Sequence, residues 1–290
     1  MPVLRTNADQ LVMMAVSGTV SQPTVRHPGY IPDNDGKSVL LPGMSGITYN
    51  VRTGDPAFGW AGDHVEPGVS ISTSNEGQDF ALHYLTCMGN EAVVTSGISA
   101  GARGIVTGEH ARMLVDFEQE VYDGLSVGDS VQIMAYGRGL KLVDYPHIEL
   151  KKMSPKLLEA MGIEAVDERK IRVPVAMELP VRIMGSGAEL NSEFVDQDLM
   201  SGDRCLMKQL KIDQLRLGDV VVINHADHRF GRSFRTGAVS IALCIHGDSV
   251  MTGHGPGIMT IMTCPEPCIE WVFDKGANLG TYFGLGKGAA

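Results

Sequence analysis

The chain has 290 residues, 43% hydrophobic, with 35 glycines and a formal net charge of −10, so it is long enough to bury a core without disulfide or metal staples. The acidic balance repels a phosphate backbone, so no nucleic-acid partner is expected, and apolar runs such as Val239–Ile245 are far too short to cross a membrane. The opening M-P-V-L-R-T-N-A-D-Q lacks the apolar core of a signal peptide, and five dispersed cysteines fit reduced thiols, so a cytoplasmic location is expected.

The glycines are spread among apolar runs without a period, which reads as many tight turns between short strands. The expected fold is therefore mainly β, a multi-part barrel and sandwich architecture with a small inserted barrel and few short helices. Residues 1–85 form a Gly/Pro-rich first part. Its segment 27–80 has too few consecutive apolar positions to bury a core alone, so it should pack on the C-terminal strands and bring 47–71 near 224–257. Within it, G-W-A-G-D-H-V-E-P-G (59–68) offers Asp63, His64 and Glu66 to a cation or to proton transfer. Trp60 is more simply a packing plug there.

Residues 86–150 read as a small β-barrel. The signs are G-A-R-G-I-V-T-G (101–108), the alternating M-L-V-D-F (113–117), and L-S-V-G-D-S-V-Q-I (125–133). The last is echoed by L-R-L-G-D-V-V-V-I (215–223), a Gly-Asp turn that launches a strand. Small barrels that bind RNA are usually basic, whereas this one carries Asp116, Glu118 and Glu120. Residues 151–170 form a helical connector: Ser154 suits an N-cap, Pro155 the first helical position and Gly162 the end.

Residues 171–290 form a C-terminal β domain. Alternation over 173–183 predicts one strand, with Pro174 and Pro180 demanding a free side. The acids Glu189, Glu193, Asp196, Asp198 and Asp203 do not match a calcium loop, so a solvated turn region is expected, with calcium or magnesium as the alternative. Residues 219–223 should be a strand covered on both faces. In 238–246, Val239, Ile241, Leu243 and Ile245 make a large face, and Ala238, Ser240, Ala242, Cys244 and His246 a small one that admits a packing layer or a ligand. C-P-E-P-C (264–268) reads as two ordinary thiols.

The densest polar stretch is N-H-A-D-H-R-F-G-R-S-F-R (224–235). Arg229, Arg232 and Arg235 recur every third residue beside a single acid, Asp227. Guanidinium groups grip carboxylates or phosphates through paired hydrogen bonds, and His228 titrates near neutral pH. The competing reading has these arginines pairing with acids elsewhere. A metal between His225 and His228 lacks a placed third ligand. A second stretch, H-G-D-S-V-M-T-G-H-G-P-G (246–257), sets His246, Asp248 and His254 among glycines whose amides can approach an anion. Cys244 and Ser233 are nucleophile candidates without an assigned base, and no nucleotide-cofactor or standard catalytic motif is visible.

The segments I-T-Y-N-V-R-T-G-D-P-A-F-G-W-A-G-D-H-V-E-P-G-V-S, G-A-R-G-I-V-T-G, V-D-Q-D-L, L-R-L-G-D-V-V-V-I-N-H-A-D-H-R-F-G-R-S, H-G-D-S and G-H-G-P-G resemble the bacterial and archaeal family catalogued as domain of unknown function 4438. The resemblance runs across nearly the whole chain. It implies a β-rich, multi-part fold with a small barrel, and it implies no activity and no catalytic residues.

The residues together suggest an enzyme, a hydrolase, lyase or isomerase, acting on a small anionic metabolite. Arg229, Arg232 and Arg235, with Asp63, His64 and Glu66, would bind the substrate. His228 and Asp227 would handle protons, and His246, Asp248 and His254 would complete the pocket. A divalent metal is a candidate cofactor. The alternative is a non-catalytic metabolite-binding or self-assembling β protein, a homo-oligomer joined through its Gly-rich loops.

Overall fold

The computed structural model describes residues 4–25, 31–33, 35–185 and 196–286. Six strands close into an antiparallel barrel: β1 (Met14–Val20), β2 (Gly68–Ser72), β3 (Glu91–Val94), β4 (Arg103–Glu109), β5 (Met113–Phe117) and β6 (Ser130–Ala135), in the order β1-β6-β3-β4-β5-β2 with β2 returning to β1. Closure removes the exposed ladder edges that an open sheet would leave. It draws β1 and β2 from ahead of residue 86, because the outer edges of β5 and β6 need hydrogen-bond partners that 86–150 does not supply. β1 pairs with β6 from Met14↔Ala135 to Thr19↔Ser130 and turns onto β2 at Thr19↔Ser72. Gly18 sits at this crossing, where a Cβ would come within 2.8 Å of Ile71 and of the Ser72 carbonyl.

The second sheet carries β7 (Asp196–Asp198), β8 (Val220–Asp227), β9 (Ser233–His246) and β10 (Gly257–Cys264). Short strands at Glu149–Leu150 and Met177–Leu179 complete it, the latter parallel to β8. Alternation along β8 and β9 feeds two cores. Val220, Val222, Ile241, Leu243 and Ile245 join the core continuous with the barrel interior. Val221, Ile223, Ala242 and Cys244 join a second core on the other face, with Leu179, Leu199 and Leu217. The small face of β9 is thus mainly packed, with Ser240 Oγ bonded to Ala226 O and to Thr263 Oγ1, and with His246 at its end.

The single strand expected over 173–183 is three pieces. Ile171–Val175 pairs in parallel with Ile269–Phe273, Met177–Leu179 belongs to the second sheet, and Val181–Ile183 is a 3-10 turn. The chain changes sheets at Ala176, whose N–H donates to the Val220 carbonyl. Pro180, which has no N–H for a ladder, ends the pairing. Pro174 lies beyond the reach of the short Glu164–Ala165 strand, so its missing donor faces no ladder.

Residues 47–71 do meet 224–257. Asp248 N donates to Ala57 O (2.8 Å), Gly247 N to Val65 O (2.9 Å), and His64 N to Asp248 O (3.1 Å). The same loop is tied to the barrel by the buried Arg52, whose Nε donates to Asp116 Oδ1 (2.7 Å) and whose guanidinium lies 4.0 Å over the Tyr122 ring. Among the described residues no helix is long and apolar enough to cross a membrane.

The two Gly-Asp turns have one geometry. Gly128 and Gly218 have φ of 92° and 84°. The Asp129 and Asp219 carboxylates each accept from the backbone N–H three residues earlier at 2.8 Å. Their surroundings differ: a Cβ at Gly128 meets nothing within 4 Å, whereas one at Gly218 lies 2.7 Å from Thr53 Cγ2. Gly128→Ala should therefore cost only left-handed strain, about 1–2 kcal/mol. Gly218→Ala should add an overpacking cost of roughly 1–3 kcal/mol. Urea unfolding of the two variants checks the difference, and equal losses would contradict this account of the turns.

Candidate metal centre

The site is assembled around a three-residue strand. β7 pairs with β10 in the register Asp196↔Met259, Gln197↔Ile258, Asp198↔Gly257. Side chains alternate along a strand, so Asp196 and Asp198 share one face and Gln197 takes the other. His246, the last residue of β9, pairs with Gly257 from the other side. A Cβ at position 257 would lie 2.2 Å from His246 Nε2 and 2.9 Å from Asp196 Oδ1. Only glycine leaves room for the imidazole and the carboxylate to approach.

Three further imidazoles arrive on loops. His64 has a left-handed backbone (φ 51°), fixed by its N–H on the Asp248 carbonyl. His110 occupies the β4–β5 turn, its N–H bonded to Arg112 O (3.0 Å). His254 lies in the β9–β10 connection. Ring centroids are 4.3 Å apart for His110–His246, 5.1 Å for His64–His246 and 5.2 Å for His64–His254.

The outer partners of these rings set their tautomers. A carbonyl or carboxylate oxygen only accepts, so a ring nitrogen bonded to one carries the proton. His246 Nδ1 donates to Gly247 O (2.8 Å) and His110 Nδ1 to Glu66 Oε1 (2.7 Å). Glu66 is buried and fully engaged, since its Oε2 also accepts from Ser45 N (2.8 Å) and Ser70 Oγ (2.5 Å). Burial opposes its charge, but His110, Ser70 and the Ser45 amide hold its carboxyl below the usual range. Asp63 Oδ1 lies 3.1 Å from His64 Nδ1 and accepts from Ser249 Oγ at 2.6 Å.

The inner nitrogens face carboxylates. His246 Nε2 stands 3.2 Å from Asp198 Oδ1 and 3.6 Å from Asp196 Oδ2, and His110 Nε2 stands 3.9 Å from Asp196 Oδ2. His64 Nε2 lies 3.6 Å from Asp198 Oδ2 and 3.3 Å from His254 Nδ1. His254 Nδ1 is hydrogen-bonded to Asp198 Oδ2 at 2.6 Å. The His246 side chain is fully buried, and its Nε2 makes no hydrogen bond. His64 Nδ1 and Asp196 Oδ1 are also buried without one. Burial works against charge on His64 and His246, yet the neighbouring aspartates push both rings above their usual pKa, His246 well above. Burial likewise opposes charge on Asp198, and His246 and His64 pull its carboxyl far down.

Two donor groups result: His110, Asp196 and His246, and His64, Asp198 and His254, with the ligand atoms of each within 4.8 Å of one another. Nitrogen and oxygen donors about 2.1 Å from a shared ion at tetrahedral angles stand ~3.4 Å apart. In the first group the imidazole–carboxylate spacings of 3.6 and 3.9 Å fall near that value, beyond the distances of most N–H···O hydrogen bonds, whereas in the second His254 Nδ1 and Asp198 Oδ2 are directly hydrogen-bonded at 2.6 Å. Imidazole with carboxylate suits a first-row divalent ion such as zinc, iron or manganese.

The residues singled out in the sequence divide. His64, His246 and His254 enter the cluster, and Glu66 and Asp63 stand behind it holding imidazoles. Asp248 lies alongside: its carbonyl supports His64, while its carboxylate binds Ser201 Oγ (2.6 Å) and Arg204 (2.5 Å). Asp196 and Asp198, expected in a solvated turn, are strand residues facing imidazoles, and Asp203 caps the helix Arg204–Gln209. Glu189 and Glu193 lie outside the described residues. His110 was not singled out, because a lone histidine in a hairpin turn carries no local signal.

The 224–235 hairpin stands apart from the cluster and pairs with itself. Arg229 forms a two-pronged bond to Asp227 (3.0 and 2.9 Å), Arg235 lies 3.9 Å from the same carboxylate, and Arg232 is exposed. Ser233 Oγ donates to Asp227 O, and His225 Nδ1 accepts from Gly237 N. His228 points to the opposite face of β7, between Gln197 Nε2 (3.0 Å) and Thr260 Oγ1 (2.7 Å). It supports the ligand strand from behind. Cys244 is buried in the second core, where burial pushes its thiol well up.

A closed barrel joined to a covered sheet, with a buried histidine–aspartate cluster at their junction, defines a β-rich protein with the donor set of a metalloprotein. The chain belongs to the family described as domain of unknown function (DUF4438): its N-terminal model matches residues 30–159 and its C-terminal model residues 160–283. The solved structure described as "Crystal structure of TM1086" is 42% identical, with a TM-score of 0.91, and the match covers 96% of this chain and 99% of that one. No curated protein matches the chain.

Burial lowers the His228 pKa from 6.5 to about 4. Between those values the unfolded chain holds a proton that the folded chain refuses, so stability is lost as pH falls from 6.5 towards 4. The contribution is about 3 kcal/mol at full extent. His228→Asn should flatten the pH dependence of the urea midpoint across that window, with both proteins measured after chelation. An unchanged slope would mean that His228 is not held neutral.

Proposed function

We propose that this protein is a metal-dependent hydrolase of a small anionic substrate, with the cluster of His64, His110, Asp196, Asp198, His246 and His254 as its centre. The observation that carries the reading is His246 Nε2. It is fully buried, its ring proton is committed to Gly247 O, and it faces two carboxylates with no hydrogen bond. A lone pair opposed to two anions is repelled unless a proton or a cation lies between them, and the spacings are those of shared ligands. Glu66 behind His110 matches the carboxylate–histidine support that orients metal ligands.

A divalent ion at this place would lower the pKa of a bound water to about 7 and polarise a substrate oxygen. The protein's own residues supply the rest. Glu66 and the Gly247 carbonyl hold Nε2 of His110 and His246 inward, and Asp63 steadies His64. Arg204, whose side chain is 46% exposed, sits on Asp248 beside the cluster and can meet a substrate anion. The overall charge of −10 supports a small-molecule ligand over nucleic acid, and the five dispersed cysteines support a cytoplasmic location.

A second reading is a purely structural imidazolium–carboxylate network in a non-catalytic β protein. It draws on the raised pKa of His246 and His64. The two readings part on chelation. Hydrolysis of p-nitrophenyl phosphate, p-nitrophenyl acetate and a simple lactone should identify a responsive ester class. That activity should fall at least ~100-fold on dialysis against EDTA and return with zinc or manganese. Turnover indifferent to chelation, or a protein that takes up no ion, would support the structural network. Glu66→Gln should raise the ion's dissociation constant about 10–100-fold in competition with a chromophoric chelator. An unchanged constant would remove Glu66 from the account.

A further inference from the structure

We propose that the centre holds two ions rather than one, bridged by the Asp198 carboxylate. This rests on the metal-binding reading above and goes beyond it in number, arrangement and order of filling. The two oxygens of Asp198 address different imidazoles. Oδ1 is turned to His246 Nε2 at 3.2 Å, within the group that includes His110 and Asp196. Oδ2 is turned to His64 Nε2 at 3.6 Å and His254 Nδ1 at 2.6 Å. One carboxylate spanning two donor groups is the geometry of a bridging ligand, and two-metal hydrolytic sites set their ions ~3.5–4 Å apart. A single ion would leave one of the two groups without a cation.

The two groups are not equally prepared. In the first, both imidazoles have their outer nitrogens committed, to Glu66 and to Gly247 O, and the inner atoms stand 3.2–3.9 Å from carboxylate oxygens without hydrogen bonds among them. An ion entering here breaks nothing. In the second, His254 Nδ1 already bonds Asp198 Oδ2, and that bond must give way before both atoms can turn to an ion. His254 is also the most exposed of the six, at 22% of its side chain. The His110–Asp196–His246 position therefore fills first and retains its ion, and the His64–Asp198–His254 position fills second and exchanges.

Demetallated full-length protein titrated with manganese should bind two ions per chain at equilibrium, read from the free-manganese signal, and should keep one after desalting by mass spectrometry of the metal. The tight ion should be bound at least tenfold more strongly than the second. At saturation, electron paramagnetic resonance should show a spin-coupled manganese pair. His254→Ala changes a loop residue, and its fold is checked by circular dichroism. It should bind one ion with an isolated manganese spectrum. Asp198→Asn should lose the coupling. One ion per chain at saturation in the unaltered protein, or two ions without coupling, overturns the bridged pair while leaving the metal-dependent reading intact. No uptake at all overturns both.

Discussion

The candidate site turns on one electrostatic constraint. Asp196 and Asp198 are held with four imidazoles in a largely buried space, and their negative charge has to be matched there. Isolated buried carboxylates are costly, and burial is tolerated only with pairing or coordination. The surroundings do not match it with hydrogen bonds from the second sheet: His246 Nε2 and Asp196 Oδ1 are buried without any. Instead they fix the outer nitrogens of His110 and His246, whose inner nitrogens face carboxylates, while His254 bonds Asp198 directly.

The fold is arranged to satisfy that constraint from separate directions. The barrel contributes His110 at a hairpin turn and Ser70 behind Glu66. The long loop ahead of β2, anchored by buried Arg52 on Asp116, brings His64. The second sheet brings both aspartates on one short strand, and His246 at the end of another. Gly257 lies where these meet, since a single methyl there would occupy the position of the His246 ring. Such a site is positioned by packed elements rather than by the local sequence around any ligand.

That explains what could be read from the sequence. Local features were legible. Ser154 caps its helix through Leu157 N at 3.1 Å, and Gly162 takes a φ of 62°. The Gly-Asp turns precede strands, and residues 219–223 are covered on both faces. The 173–183 segment misled because its alternation continues through Ala176, while the backbone changes sheets there. Sheet membership depends on partners far along the chain, which periodicity does not encode. The site was legible only as fragments. His64, His246 and His254 stood out by their Gly-rich or acidic neighbours, yet His64 and His254 are 190 residues apart and no spacing links them. Asp196 and Asp198 looked like solvated acids, since the strand pairing that buries them is non-local. The Arg-rich hairpin drew notice by charge density, but of its three arginines Arg229 is bound to Asp227 within the hairpin itself.

The central claim is that a cation belongs between His246 Nε2 and the two aspartates. It is tested most directly by crystals of the protein purified without chelators, with anomalous diffraction collected at the absorption edges of first-row metals. The account predicts an anomalous peak within about 2.3 Å of His246 Nε2 and an aspartate oxygen. A clean map with no peak, and with imidazole hydrogen-bonded directly to carboxylate, would contradict it.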